Sequence, residues 1–514
     1  MNGQHVRGLP FALSGALFLA LILAVATSAE SAAAQTVLQP VPGQPPPVQP
    51  APVTPTTSQP TTPRPPGAAG SAAAGQPATP FAMPPAPAVD DAMLAPAPPA
   101  KRMINSWQDA IQLVRARSTD LATAYAEIRR AEAQTRTALA AVLPTINAQA
   151  TAPHQFITRT TTTFVTGGGT RSVDTPQGDY INAGVSLSQS LINVQAWHSI
   201  GTAKESTKAQ ELSAEDVNRV ITLQVATSIV AVVASERVAE LNRVGLRSAL
   251  ERRDLTARKK GLGVATGLDV VRADQDVSAA RATLVTGDES LRKSREALGL
   301  AVGIPEQVGV PPGVKLDDVI ANAERTCPRL ETLAGRADIL AQQKRIEVAD
   351  RNVHNVELSF LPTLGATSNF ATSSLNNGSG PPSTWNIAAV LSIPIWDGGA
   401  RYGALRNNRA LRDEAGYALE AATRTATVQI EQARRGIAVA EASRDVARQT
   451  RDLAAEVDKL TQVAYRAGQG TSLELVIAAA ALREAEIALA LREFDVVSSR
   501  LDALFALARC TGSP

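Results

Sequence analysis

The residue types that most often carry chemistry are few and scattered in this chain. Its four histidines, His5, His154, His198 and His354, and its two cysteines, Cys327 and Cys510, stand far apart, and no CxxC, HExxH or similar ligand spacing occurs. Zinc and thiol chemistry are therefore not expected, and no metal or cofactor site is assigned. Two glycine-rich stretches, Gly263-Val264-Ala265-Thr266-Gly267 and Gly468-Gln469-Gly470-Thr471, resemble phosphate-cradling loops at first sight. Neither has the Gly-Lys-Ser/Thr ending of a P-loop or a strand before it. The acids that follow them, Asp269 and Glu474, could do acid–base work only in a pocket that perturbs their protonation. Both fall instead in the first turn of a helix, where the helix dipole already favours a carboxylate. No catalytic residue is assigned, and an enzyme is not expected.

The elements that position these glycines are long helices. The 514-residue chain has only 18 aromatics (9 Phe, 5 Tyr, 4 Trp) and many alanines, a composition of helices rather than of a sandwich or large α/β core. Its 50 Lys plus Arg against 48 Asp plus Glu, net +2, argues against a nucleic-acid partner. Two proline-free runs, about Trp197 to Leu262 and about Arg401 to Ala467, would each be about 100 Å long at about 1.5 Å per residue. In the second, Ala440, Ser443, Ala447, Thr450, Ala454, Val457, Thr461 and Ala464 form a heptad seam of small residues suited to close helix approach. Each run stops at a glycine, Gly263 or Gly468, and a second helix follows, capped by Thr266 or Thr471 and ending near Val302 or Ala508. The most apolar window, Val220 to Val233, is too short to span a membrane and reads as a buried helix.

The N-terminus reads as a processing signal over residues 1–34: Arg7, the apolar stretch Phe11 to Ala26, and Ala32-Ala33-Ala34 as a cleavage site before Gln35. No cysteine lies near that site to carry a lipid, so the exported chain is not expected to be a lipoprotein. Residues 37 to 100 hold 20 of the 33 prolines and almost no charge, so residues 35–103 read as a linker with partial polyproline II character that nothing can order. Cys327 and Cys510 could meet in an oxidising compartment, but their positions give no reason to bring them together, and no disulfide is expected.

The two helical hairpins are 205 residues apart, from Gly263 to Gly468, and Leu143-Pro144-Thr145 recurs as Leu361-Pro362-Thr363, so the chain is an internal duplication with repeats over 104–314 and 315–514. Before each hairpin the apolar pattern switches to period two. Ile181, Ala183, Val185 and Leu187 share one face, as do Trp385, Ile387, Ala389, Leu391, Ile393 and Ile395. With weaker partners at about 145–165 and 363–376, four strands per chain follow. Four strands cannot close a barrel, whose smallest known form has about eight. Either several chains share one membrane barrel, or the strands make a small soluble sheet in a wholly periplasmic coiled-coil adaptor or scaffold.

The order helix, Leu-Pro-Thr, strand hairpin, long helix and Gly-centred turn, all given twice, resembles the TolC-type outer-membrane factor (outer membrane efflux protein) family. Pro394-Ile395-Trp396-Asp397-Gly398-Gly399-Ala400-Arg401 resembles that family's strand-to-helix turn, and Tyr465-Arg466-Ala467-Gly468 with Leu473-Glu474-Leu475 its second hairpin tip. The resemblance covers about residues 104 to 509. It implies a mainly α fold with a small membrane β-barrel portion, a homotrimeric channel-tunnel in the outer membrane of a Gram-negative bacterium, in contact with outer-membrane lipid. It implies a passive duct of a tripartite efflux or type I secretion system, with a periplasmic adaptor and an inner-membrane transporter of RND or ABC type as partners. It also implies that Gly263, Val264, Ala265, Gly468, Gln469, Gly470 and Thr471 face the adaptor. Asp269, accepting a bond from Tyr465, and Glu474, as a ring of acids, would hold the aperture. Three positions depart from the family pattern: Arg509 where the first repeat has Gly303, Gly470 where a link-forming arginine can stand, and Ile477 where a second acid ring can stand.

Overall fold

The computed structural model describes residues 89–165, 169–175, 178–374 and 383–510. The signal segment, the cleavage site and the Pro-rich stretch up to residue 88 lie outside the described residues. The helices are α1 (Trp107–Arg117), α2 (Thr119–Ala140), α3 (Val194–Gly261), α4 (Gly267–Ala301), α5 (Leu316–Thr326), α6 (Ala337–Leu358), α7 (Ala400–Arg466) and α8 (Ser472–Ala506). The 68 residues of α3 and the 67 of α7 give each about 100 Å of length. Local chemistry sets the starts: Ser106, Ser118 and Asn193 accept from the backbone N–H three residues on.

The strands are β1 (Arg102–Met103), β2 (Thr145–Thr151), β3 (His154–Gln155), β4 (Arg159–Val165), β5 (Gly169–Thr175), β6 (Gly178–Asp179), β7 (Asn182–Ile192), β8 (Val308–Gly309), β9 (Thr363–Ser373) and β10 (Ser383–Ser392). The four expected long strands form one antiparallel sheet in the order β10-β9-β7-β2. Its cross-strand rows sort by chemistry. Trp385–Phe370–Val185–Ala148 and Ile387–Ser368–Leu187–Ile146 lie on one face, Asn386–Asn369–Ser186–Asn147 and Thr384–Ala371–Gly184–Gln149 on the other. On the apolar face Trp385, Ile387 and Ile146 are about 70% exposed. Ile393 and Ile395, expected on this strand, lie beyond it, because Pro394 has no N–H to continue the ladder. The partner strand expected over about 145–165 is divided into β2, β3 and β4, with β3 paired to β6 and β4 to β5.

Near the sheet, α2 packs on α3, α3 on α6 and α6 on α7; toward the tips, α4 packs on α3, α3 on α8 and α8 on α7. This leaves α7 at one edge and α2 with α4 at the other. The small-residue seam of α7 is buried or half-buried except at Thr450 and Val457, and beside it Val439, Val446, Leu453 and Leu460, seven residues apart, are exposed. Midway along, Trp107, Val225, Val232, Leu298, Val302, Ala323, Leu501 and Phe505 share one core. An 18-residue window of α3 does reach the apolarity of a membrane span, more than the sequence reading allowed. Its Val225, Ala226, Ile229 and Val230 are buried in this core.

Two expectations are corrected here. Cys327 and Cys510 are joined by a disulfide. The chain leaving α8 runs antiparallel beside residues 328–330, where the Leu330 N–H donates to the Leu507 carbonyl (2.7 Å) and the Arg509 N–H to the Pro328 carbonyl (3.1 Å), so both sulfurs arrive in one core. Closing so long a loop stabilises by up to about 5 kcal/mol in the chain-entropy account. The same ladder explains Arg509. Gly303 turns at φ +77° with the Arg117 carbonyl 2.6 Å from any Cβ, whereas Arg509 is held in the ladder and its guanidinium meets Glu215 at 2.8 Å.

The second correction is the linker boundary, which the sequence places at residue 103. Residues 91–98 already form a strap on the first hairpin. Asp91 pairs with Arg281 (2.6 Å), the Ala95 carbonyl accepts from Arg243 Nε (3.3 Å), and the Pro98 carbonyl accepts from Arg295 (2.8 Å). Met93 and Leu94 pack on Leu246, Ala249, Val277, Ala280 and Leu284, and β1 then pairs with β8. Arginines reading backbone carbonyls leave no trace in the strap's own Pro/Ala composition. We expect deletion of residues 40–85 to leave the thermal unfolding midpoint unchanged and deletion of 40–99, which takes one backbone acceptor from each of nearly buried Arg243 and Arg295 and the Asp91 partner from Arg281, to lower it by several degrees; equal midpoints would show the strap to be inert.

Candidate functional site

The two hairpin tips repeat each other at the level of single hydrogen bonds. At the first, the Gly263 N–H donates to the Lys260 carbonyl and the Val264 N–H to Lys259; at the second, Gly468 donates to Tyr465 and Gln469 to Ala464. These are Schellman closures, and both need a left-handed residue, supplied by Gly263 at φ +75° and Gly468 at φ +78°. Thr266 and Asp269 then form a capping box, as do Thr471 and Glu474. Around the first turn Leu262, Val264 and Leu268 are exposed, while Ala265 is half-buried; at the second, Gly468, Gln469 and Thr471 are exposed. A side chain at Gly470 would meet the Tyr465 backbone nitrogen at 3.0 Å, so the turn disfavours an arginine there.

Asp269 and Tyr465 are not joined. The Asp269 carboxylate accepts from the Thr266 N–H (2.8 Å) and hydroxyl (2.7 Å), and its other oxygen accepts from the hydroxyl of buried Ser472, the first residue of α8. Tyr465 is buried with the Lys259 ammonium 3.7 Å from its ring centroid. Nothing in the repeat marks Ser472, because its position in the first repeat is Gly267, which has no side chain to donate. The Ser472 hydroxyl, and then Thr266, hold the Asp269 carboxyl below its ordinary value. Its own capping bonds from Thr471 do the same for exposed Glu474. Burial, and then the charge of Arg466, push Lys259 down.

At the strand-to-helix turn after Pro394, Gly398 and Gly399 take φ of +71° and +88°. Asp397 accepts from the Gly399 N–H (3.1 Å), the Arg401 N–H (3.0 Å) and Arg401 Nε (2.7 Å), which starts α7 without a side-chain cap at Gly399. One pair that sequence spacing hid is His198 with His354, whose ring centroids are 5.0 Å apart. No cluster suited to a metal ion occurs among the described residues.

A carboxyl held below its ordinary value contributes stability above its unfolded pKa and loses it as pH falls through the folded pKa. Removing the largest cause raises that folded pKa. We therefore expect acid to loosen the tip of Ser472→Ala at a higher pH than the unaltered tip, read by amide hydrogen exchange at residues 262–272, while Tyr465→Phe leaves the acid midpoint in place. Coincident midpoints for Ser472→Ala and the unaltered chain would remove Ser472 from the account.

Comparison with known proteins agrees with this architecture. The family description "outer membrane efflux protein" matches residues 110–304 and 330–513, the two repeats. The chain is 28% identical over 244 residues to the outer membrane protein OprJ of Pseudomonas aeruginosa, covering 43% of this chain and 49% of that protein, so it spans about half of that relative. It is 23% identical over 389 residues to the pyoverdine export outer membrane protein OpmQ of Pseudomonas putida, covering 73% and 80%. The solved structure of the outer membrane protein VceC of Vibrio cholerae shares the fold, with a TM-score of 0.63 at 17% identity over 79% of this chain and 96% of that one. With both repeats and well over half its length matched, the chain belongs to the outer membrane efflux protein family.

Proposed function

We propose that three copies of this chain close into one outer-membrane barrel of twelve strands that continues as a helical tunnel in the periplasm. The assembly is a passive exit duct for a tripartite efflux or type I secretion system. The observation that carries this reading is the sheet β10-β9-β7-β2, with one apolar face, one polar face and two unpaired edges. Unpaired edges are not tolerated in lipid. At about 3.4 Å per residue and a tilt near 45°, the 10 or 11 residues of β7, β9 and β10 give about 25 Å of height, the thickness of an outer-membrane apolar band, while β2 is shorter at 7 residues. Four alternating strands put β10 antiparallel to the β2 of a following copy, so copies join in register with the existing pattern. Two copies would already reach eight strands; the number three rests on the family resemblance.

In this reading residues 1–34 are a cleaved signal peptide. Neither cysteine is free to carry a lipid, both being in the disulfide. The tips lie about 100 Å of helix from the sheet and are where a periplasmic adaptor docks, with an inner-membrane transporter supplying the energy. Gly263, Val264, Ala265, Gly468, Gln469, Gly470 and Thr471 form that docking end, and Asp269, through Ser472, and Glu474 line its aperture. Membrane fractionation tests the reading. The chain is expected in the outer membrane as a trimer that runs intact on gels until heated; recovery as a soluble protein on osmotic shock would instead favour a periplasmic scaffold.

A further inference from the structure

The strap over residues 91–98 is held by a row of charged side chains on the first hairpin. Arg281, Asp288 and Arg295 stand seven residues apart along α4. Arg281 meets Asp91 at 2.6 Å, and Asp288 holds Arg243 at 2.6 Å while Arg243 Nε donates to the Ala95 carbonyl. Arg295 bridges Glu236 of α3 (2.9 Å) and the Pro98 carbonyl (2.8 Å). Asp91 to Pro98 is seven residues, whereas Arg281 to Arg295 is fourteen, about 21 Å of helix, so the strap advances by about 3 Å per residue. That is the rise of an extended, polyproline II segment, twice that of a helix, interrupted by one short turn at Ala92–Leu94.

The second hairpin carries the same row without the strap. A shift of 205 takes α4 residue for residue onto α8 and α3 onto α7. Arg295 and Glu236 become Arg500 and Glu441, joined at the same 2.9 Å. Arg243 and Asp288 become Arg448 and Glu493. Under Met93 and Leu94 lie Ala249, Val277, Ala280 and Leu284, which become Ala454, Leu482, Ala485 and Leu489; Leu246 departs, becoming Arg451. The strap leaves the Arg295 side chain 8% exposed, whereas that of Arg500 is 43% exposed. Arg448 and Glu493 are exposed, and neither has a hydrogen-bond or ion-pair partner among the described residues. Within this row one charge is reversed: Arg281, which takes Asp91, becomes the half-buried Glu486.

We propose that the groove between α7 and α8 is a second strap site, which takes an extended, proline- and alanine-rich segment of a partner protein. Backbone carbonyls of that segment accept from Arg448 and Arg500, and a Lys or Arg stands where the strap has Asp91, opposite Glu486. Guanidiniums that bind carbonyls read no sequence, so the charge at Glu486 selects the segment. A helix would not serve as the occupant, because its carbonyls are already bonded within it. The site follows from the strap and stands whether or not copies of the chain close into a barrel.

The strap itself supplies the probe: a peptide of residues 89–100 with Asp91→Lys and photo-methionine at Met93, added to the purified full-length chain. On illumination it is expected to attach to α7 near Ala454 and to α8 between Leu482 and Leu489, several-fold more than the same peptide with Asp91. Glu486→Arg is expected to invert that preference, and Arg500→Gln to lower capture of both peptides several-fold. No capture on α7 or α8, capture confined to α3 and α4, or a preference that Glu486→Arg leaves unchanged overturns the proposal. A benzophenone side chain in place of Glu486 that captures a second copy of the chain would give the groove to a contact between copies and overturn it as well.

Discussion

A backbone N–H or C=O left without a partner in hydrocarbon costs several kcal/mol, and the sheet of this chain leaves two whole strand edges in that state, along β2 and along β10. A helix or a loop laid over those edges would solve the problem in water, but among the described residues no strand pairs with either edge, and one face carries Trp385, Ile387, Phe370 and Ile146 outward. The edges are complementary in direction, so in the proposed assembly another copy of the same chain would satisfy them. Because α2 leads into β2 and α7 leaves β10, pairing the edges also brings α7, with Val439, Val446, Leu453 and Leu460 exposed, against the α2 and α4 side of its neighbour. In that assembly one requirement of the backbone would arrange the whole helical wall.

Much of this was readable from local signals. The glycines at 263 and 468 and the threonines three residues on fix two turns through left-handed backbone and side-chain caps, chemistry that acts within about six residues. The period-two rows around Val185 and Ile387 are equally local. What escaped depends on register between distant segments. Cys327 and Cys510 meet because the tail after α8 pairs with residues 328–330. The strap at 91–98 is held by arginines some 150 to 200 residues away that bind carbonyls, which every residue has. The resemblance gives Tyr465 the partner that Ser472 takes, since a serine opening a helix looks like any other N-terminal residue.

The duplication gives the molecule its regular wall, and its departures from exact repetition give it direction. Tip closures and capping boxes coincide bond for bond, yet Ser472 faces Asp269 while Gly267, its counterpart, has nothing to offer Glu474. The buried Asp276 carboxylate, which meets Arg252 at 2.6 Å and Arg483 at 3.7 Å, likewise has no counterpart one repeat on, where Ala481 stands.

The claim on which all of this depends is that the β2 edge of one copy pairs with the β10 edge of the next. One cysteine placed in β2, at Asn147, combined in the same chain with a series of single cysteines along β10 from Thr384 to Val390, tests it by oxidation in intact outer membranes. The account predicts covalent dimers and closed trimers at one register and its nearest neighbours, with alternate positions silent as the side chains change face. Monomers at every position would contradict it.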